Sequence, residues 1–216
     1  RCHIEQVPMR FCTRCVMPNT RPGLVFQEGV CQACLNHEKR QKVDWAARWS
    51  ELEKLCSELP KTDGYNCIVA VSGGKDSHVL THIAKEKLGL YPLLVRVGDG
   101  FSLTEAGKHN IQNLRWQFNC DLLEWNMGQD RFRKATRAAF EEFGNLIFFD
   151  PLIYAVPVYL AEKLGLRLVL FGENPDYEFG RSEHDSGEVY LFNHLDQLRW
   201  LKRHINIGFL DIDYLS

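Results

Sequence analysis

The feature that most constrains the fold is a compact apolar run followed at once by a glycine-rich turn and a helical segment. The run spans 67–71, the turn contains Gly73 and Gly74, and a helix is predicted over 77–88. A buried strand that leads through a tight turn into a helix is the first half of a β–α–β unit, in which helices join parallel strands.

Apolar runs and helical segments continue to alternate through the rest of the chain. Further strands are predicted over 93–97, 121–125 and 167–171, and further helices over 102–118, 129–143, 150–164 and 195–204. Two helix starts carry capping signals: Ser102 opens a capping box with Glu105, and Asp150 precedes a proline at the first helical position. We therefore predict an α/β fold with a doubly wound parallel sheet.

The turn after the first strand has the composition of an anion site. Val71 ends the strand, and the turn reads Ser72-Gly73-Gly74-Lys75-Asp76-Ser77. The glycines let an anion approach the backbone, and the helix start offers N–H groups and the positive end of the helix dipole. Two serine hydroxyls add donors, and the lysine adds positive charge. The alternative is a glycine turn that only joins strand to helix.

Two more loops follow predicted strands. Ligands of doubly wound sheets lie beyond the carboxyl ends of the strands, so these loops are candidates for the same site. Asp99 lies in a Gly-Asp-Gly turn after the second strand, where it could bind a ribose or Mg²⁺; the alternative is a solvated turn aspartate. The sequence Gly172-Glu173-Asn174 follows the fourth strand, and we expect the Glu173 carboxylate to bind Mg²⁺ or to position a nucleophile.

Four of the eight cysteines form two close pairs near the N-terminus. Two residues separate Cys12 from Cys15 and Cys31 from Cys34, and 15 residues separate the pairs. This spacing is typical of a four-thiolate zinc site, and the segment 9–37 is too short to fold around a hydrophobic core of its own. We predict a structural Zn²⁺ site; disulfides, an iron–sulfur cluster and a redox role are the alternatives.

The chain divides into three predicted parts: the four-cysteine module 9–37, a linking helix over 44–60 and an α/β domain over 65–216. The net charge of −2 gives no general argument for a nucleic-acid or membrane partner. No apolar run reaches the roughly 18 residues that span a bilayer, and the first residues lack a signal peptide, so we expect a cytoplasmic location. His78 and His82 lack ligand spacing with a third partner, and we expect surface or packing roles for them.

The loop 72–77 differs from the Walker loop, which has four residues between its first glycine and Gly-Lys-Ser/Thr. It resembles the Ser-Gly-Gly-x-Asp-Ser loop of the ATP pyrophosphatase (PP-loop) superfamily, whose members split ATP between its α and β phosphates and attach AMP to a substrate oxygen. The resemblance implies an ATP site built from three loops: 71–77, Asp99, and Gly172 with Asn174. It also implies catalytic roles for Lys75, Asp76 and Glu173.

Within that superfamily the chain resembles the N-acetyl sugar amidotransferases of bacterial lipopolysaccharide and nonulosonic acid (pseudaminic and legionaminic acid) pathways. The similarity covers nearly the whole chain, and it is strongest in 11–22, 29–34, 71–77, 172–175 and 177–180. The resemblance implies that ATP with Mg²⁺ adenylates the acetamido oxygen of an N-acetylated sugar, and that ammonia then displaces AMP. It also implies glutaminase and cyclase-like partners that supply the ammonia. Because family members continue well past this length, we expect the chain to be truncated at its C-terminus.

Two other functions remain open. Enzymes of tRNA thiolation also join a four-cysteine module to a PP-loop domain. Their His-bearing motif after the fourth strand and their sulfur-handling cysteines have no counterpart here, and the near-neutral charge disfavours tRNA as a ligand. A non-catalytic nucleotide-binding protein, the other alternative, would bind ATP without turnover.

Overall fold

The structure is a computed structural model that describes residues 8–20, 24–60, 63–146 and 148–173. These residues fall into two compact units: the residues up to Glu51 together with Glu173, and the residues Leu52–Gly172. The predicted helix over 195–204 and the site candidate Asn174 lie outside the described residues. Within the described ranges, no helix combines the length and the apolar character that crossing a lipid bilayer requires.

The first unit consists of a hairpin followed by helices. Its elements are the strands β1 (Phe26–Gln27) and β2 (Val30–Cys31) and the helices α1 (Gln32–Gln41) and α2 (Trp45–Ser57), the last of which continues into the second unit. The strands pair antiparallel. At the hairpin turn Glu28 (φ 49°) and Gly29 (φ 82°) are both left-handed, a turn geometry that matches the twist of paired strands. The hairpin therefore places β2 directly before the first turn of α1.

The second unit is built around a parallel sheet of four strands. The strands are β3 (Cys67–Ala70), β4 (Pro92–Gly98), β5 (Leu122–Asn126) and β6 (Val169–Leu170). Their order is β5-β4-β3-β6, and all neighbours pair parallel. The chain thus runs from β3 to β4 and β5 on one side and returns to β6 on the other, so the strand order reverses between β3 and β6. The predicted α/β fold with a parallel sheet is confirmed.

Successive residues of each strand point to opposite faces of the sheet, and each face carries its own core. On one face Ile68, Val95 and Val97 pack with the helices α5 (Gln129–Phe143) and α6 (Phe149–Lys163). On the other face the buried cluster joins three strand residues to residues of the surrounding helices, namely Cys67, Val69, Leu94, Cys56, Ala84, Leu114 and Phe118. Helices on both faces explain why the strand sequences are apolar throughout rather than alternating.

The helices of the second face are α3 (Lys75–His82), which passes into a π-helical turn at Ile83–Lys87, and α4 (Glu105–Phe118). The predicted capping box at Ser102 is wrong: the N-cap is Thr104, whose Oγ1 accepts a hydrogen bond from the Gly107 N–H at 3.1 Å. The predicted Asp150 cap is also wrong, because α6 begins one residue earlier and Phe148 occupies the N-cap position. At α4 a second hydroxyl residue, Thr104, caps the helix in place of Ser102, whereas α6 begins without any side-chain cap, so no capping residue marks its start.

Candidate functional site

The first cysteine pair lies in a tight turn. Phe11 and Pro18 form an isolated antiparallel bridge, and between them the Cys12 N–H donates to the Met17 carbonyl at 2.8 Å. The Val16 N–H donates to the Cys12 carbonyl at 3.1 Å, and the backbone of Val16 is in the left-handed region (φ 57°). These bonds close the turn and hold the two thiols of the pair on one side of it.

The second pair straddles the start of α1. Cys31 is the last residue of β2 and the N-cap of α1, so Cys34 lies in the first helical turn. Residues three apart at a helix start lie on the same side of it. The two turns are tied together by the Thr13 N–H, which donates to the Gly29 carbonyl at 3.0 Å, and by an ion pair between Arg14 and Glu38.

These two turns bring the four sulfur atoms together. All four Sγ atoms lie within 4.8 Å of one another, with 3.9 Å between Cys12 and Cys34 and 3.5 Å between Cys15 and Cys31. Zinc bound tetrahedrally at Zn–S distances of about 2.3 Å requires sulfur separations of about 3.8 Å. The predicted convergence of the cysteines is confirmed, and the four-cysteine cluster has the dimensions to hold a metal ion such as zinc.

The electrostatics of the cluster also suit a cation. Burial acts to raise the pKa of Cys12, but N–H donation from Cys31 and Arg14, at 3.3 and 3.4 Å from Sγ, outweighs it and lowers the pKa to about 6. Burial, followed by the neighbouring thiols, raises the pKa of Cys34 to about 12. The raised pKa of Cys34 disfavours its thiolate, and a bound divalent cation would supply the charge that favours deprotonation.

The glycine loop 72–77 follows the carboxyl end of β3 and includes the first turn of α3. The strand order reverses between β3 and its neighbour β6, so the loop lies beside that reversal. Gly74 is the N-cap of α3, so the helix begins at Lys75, close to the predicted start. The N–H groups of a first helical turn have no acceptor within the helix and form an anion-binding surface. This position is where ligands of doubly wound sheets bind.

Ser77 organises the loop. Its buried Oγ accepts hydrogen bonds from the N–H groups of Ser72 at 2.9 Å and Gly73 at 3.3 Å. The Ser72 Oγ accepts in turn from the Gly74 N–H at 3.4 Å. In this arrangement the two hydroxyls that the sequence suggests as ligand donors satisfy the backbone of the loop itself.

Gly73 allows the loop to lie against α4. It adopts φ +90°, and a Cβ at this position would stand 2.8 Å from Cγ1 of Ile111. Any side chain there would push the loop away from the helix. Ile111 is therefore a residue of the site that sequence reasoning missed, because nothing in a helical apolar position indicates which distant turn it will contact.

The predicted loop after the fourth strand of the sheet, which begins at Gly172, also contacts α3. A Cβ at Gly172 would lie 3.5 Å from the Asp76 Cβ, so the chain leaving β6 contacts the first turn of the helix. The Lys75 Nζ donates to both carboxylate oxygens of Asp76, at 2.7 Å to Oδ1 and 2.9 Å to Oδ2, and both side chains are exposed. Lysine, aspartate and Gly172 thus come together at one end of the sheet.

The other two candidates in the described residues are Asp99 and Glu173. Asp99 follows β4, the strand next to β3, and its Oδ1 accepts from the Phe101 N–H at 3.0 Å within its own loop. Glu173 follows Gly172 directly but groups with the first compact unit. The structure therefore unites the loop 72–77 with Gly172, and it leaves the roles predicted for Asp99 and Glu173 as predictions.

His78 is a second residue whose place the sequence did not indicate. Its Nδ1 lies 2.9 Å from the Gly74 carbonyl oxygen, one helical turn back along the chain. The spacing of four residues from the N-cap could have identified it, since helical side chains lean towards the helix N-terminus. His82, one turn further on, instead packs its ring against Phe118 at a centroid distance of 6.3 Å.

The fold and the site define a mixed α/β protein with a parallel four-stranded sheet and a four-cysteine cluster that could bind a metal. No protein-family model matches the chain. It is similar to an uncharacterised protein of Methanocaldococcus jannaschii, with 34% identity over 125 residues that cover 53% of this chain and 42% of that protein. The chain thus matches less than half the length of this relative.

Proposed function

We propose that the protein is an ATP-dependent amidotransferase of the PP-loop type, which converts the acetamido group of an N-acetylated sugar into an acetamidino group. The observation that carries the proposal is the position of the loop 72–77, at the carboxyl end of β3 where the strand order reverses and where α3 begins. Anions bind at such positions. The step from an anion to ATP and the choice of sugar rest on the sequence resemblance.

In the first half-reaction the acetamido oxygen attacks the α-phosphorus of ATP. The new O–P bond forms as the bond between the α-phosphorus and its bridging oxygen breaks, which releases pyrophosphate. The amide nitrogen loses its proton to solvent, and an O-adenylated imidate remains. Positive groups near the phosphates stabilise the charge that develops on the leaving oxygen. Lys75 supplies an ammonium for this purpose, and its contact with Asp76 keeps that ammonium beside the loop. Mg²⁺ would add charge when bound, and Asp99 and Glu173 are separate candidates for a residue that would hold it.

In the second half-reaction ammonia attacks the imidate carbon. The carbon–oxygen bond to AMP breaks, and AMP leaves with that oxygen as a phosphate anion. One proton moves from the incoming nitrogen to the sugar nitrogen, which leaves the acetamidino group in its protonated form. Glutaminase and cyclase-like subunits are the proposed source of the ammonia. The four-cysteine cluster takes no part in this chemistry, because four protein ligands leave a tetrahedral metal ion no open position.

Product analysis tests the proposal. Purified protein is incubated with ATP, Mg²⁺, ammonium and a panel of N-acetylated sugars, and nucleotides are separated by chromatography. We expect equal amounts of AMP and pyrophosphate together with an acetamidino sugar. Release of ADP, or ATP binding without turnover on any sugar, would contradict the proposal.

A charge variant links the activity to the loop. Asp76→Asn should lower the turnover rate by about 100-fold or more, the usual cost of disturbing charge stabilisation at a transferring phosphoryl group. Asp44→Asn is the matched control. Its Oδ1 accepts from the Ala47 N–H at 3.0 Å, and asparagine caps helices as well as aspartate does. Equal loss in both variants would indicate a general effect on folding.

A further inference from the structure

We propose that His78 is a positioning residue of the phosphate-binding loop, which orients the peptide unit between Gly74 and Lys75 towards the ligand. The inference rests on the proposed function, since it names a further residue of that same site. The carrying observation is that two groups of one residue hold the Gly74 carbonyl oxygen: the His78 N–H at 3.3 Å and the His78 Nδ1 at 2.9 Å.

The hydrogen bond defines the protonation of the ring. A carbonyl oxygen can only accept, so Nδ1 must carry the proton, and the neutral ring then has its lone pair on Nε2. The side chain reaches Gly74 because helical side chains lean back towards the N-terminus of the helix. His78 is half-buried, whereas Gly74 at the other end of the bond is exposed.

Because the peptide unit is planar, fixing the Gly74 carbonyl also fixes the direction of the Lys75 N–H. No peptide bond among the described residues is cis, and in a trans peptide the carbonyl and the N–H point in opposite directions. Holding the Gly74 carbonyl towards His78 therefore directs the N–H of the following residue out of the helix, to the side where an anion binds. Gly74 needs the anchor, because a glycine has no Cβ to restrict its own rotation.

Isosteric variants separate this role from simple packing. In His78→Asn the amide nitrogen occupies the place of Nδ1 and can still donate to Gly74, whereas His78→Gln and His78→Ala lose that donor. His82→Asn is the matched control on the same helix, since His82 contacts Phe118 and not the loop. Dissociation constants are measured by calorimetry for ATP with Mg²⁺, for pyrophosphate and for adenosine, which lacks phosphate.

We expect the alanine and glutamine variants to bind ATP and pyrophosphate about 3–10-fold more weakly, the worth of one hydrogen bond. The asparagine variant and the His82 control should stay within about twofold of the unaltered protein. Adenosine affinity should stay unchanged in all of them, because the anchor acts only on the phosphates. A long-range proton–nitrogen NMR spectrum should show the neutral His78 ring protonated at Nδ1.

Three outcomes would overturn the inference: ATP affinity unchanged in His78→Ala, an asparagine variant as weak as the alanine variant, or a neutral ring protonated at Nε2. If the protein binds pyrophosphate with the expected ranking of variants but does not bind ATP, only the proposed nucleotide function fails. If it binds neither anion, both proposals are contradicted.

Discussion

Ser77 shows how a single side chain determines the shape of a binding loop. The motif places a serine in the first turn of α3, and the sequence suggests a hydroxyl that meets the ligand. The structure buries that hydroxyl and gives it two backbone donors, from Ser72 and Gly73. A loop with two glycines has little conformational restriction of its own, so these bonds hold it in one form before any ligand arrives.

Replacing this hydroxyl should destabilise the protein. Ser77→Ala leaves two backbone N–H groups without their acceptor, and we expect the free energy of unfolding to fall by about 1–3 kcal/mol. Urea denaturation followed by circular dichroism measures it. Ser50→Ala is the control, because the Ser50 Oγ bonds only to the Ala46 carbonyl on an exposed helix face. That change should stay within about 0.5 kcal/mol, and equal effects of both variants would refute the role of Ser77.

A second prediction at the residue scale is that the contribution of Tyr65 to the free energy of unfolding depends on pH. Its hydroxyl donates to Asp121 Oδ2 at 2.5 Å, and that bond, followed by burial, raises the pKa of Tyr65 to about 12. An unfolded tyrosine has a pKa of about 10. The folded value is the higher one, so the stabilisation is fully present below pH 10 and is lost as the pH rises towards 12.

Tyr65→Phe should therefore be less stable than the unaltered protein at pH 8, and this difference should shrink as the pH approaches 12. Chemical denaturation at a series of pH values measures the difference. Tyr91→Phe retains the Tyr65 hydroxyl although the two rings stack at 5.9 Å, and it should keep the pH dependence of the unaltered protein. A Tyr65→Phe difference that stays constant across this range would contradict the prediction.

At the scale of elements, the four-cysteine module is the part whose stability we expect to depend on a ligand. Its strands are two residues long, and its buried hydrophobic residues Cys12 and Cys31 are themselves candidate ligands. Such a module has too little apolar surface to offset the loss of chain entropy, so we expect metal binding to supply folding energy. The hairpin and the start of α1 then serve mainly to present sulfur atoms at the correct separation.

Cobalt substitution tests this assignment. The unaltered protein should bind about one Zn²⁺ or Co²⁺ per chain, and the cobalt form should show thiolate charge-transfer absorption. Cys15→Ser removes one thiolate and should weaken that absorption. Cys120→Ser changes a thiol that lies in the sheet unit and should bind metal as before. Unchanged thiolate absorption in Cys15→Ser would show that Cys15 is not a ligand and would contradict the assignment.

At the scale of the whole molecule, the two compact units have different sources of stability. The sheet unit carries a buried cluster on each face, and none of the four cluster cysteines belongs to either of them. Its stability therefore comes from apolar burial, whereas we expect the first unit to depend on a metal ion bound by the cysteine cluster.

Removal of the metal should accordingly affect one unit far more than the other. After chelation we expect amide hydrogens of 24–41 to exchange at least about tenfold faster, because the module loses its folding energy. Amides of β4, such as those of Leu94 and Val95, should keep their protection. Hydrogen exchange read by mass spectrometry distinguishes the segments, and simultaneous loss of protection in β4 would refute independent stabilisation.

Local patterns were enough to predict most of the elements. Apolar runs predicted all four strands of the parallel sheet, although β6 is shorter than the predicted 167–171. The glycine turn predicted the start of α3 to within two residues. The caps at Ser102 and Asp150 were wrong: Thr104 caps α4 two residues after Ser102, and α6 begins at Phe149 without a side-chain cap, so no polar residue marks its start. The spacing of the cysteines predicted the cluster, since two short turns leave few other arrangements for four ligands.

The sequence by itself determined the order of strands and helices in the sheet unit, the glycine loop after β3 and the two cysteine pairs, because each depends on residues close together in the chain. Only the tertiary structure decided the strand order β5-β4-β3-β6, which brings Gly172 to Asp76. The same is true of the contact of Gly73 with Ile111, and of the loop bonds made by Ser77 and His78. The physical reason is that periodicity and capping are local, whereas the pairing of strands and the packing of a turn on a distant helix depend on how the whole core is filled.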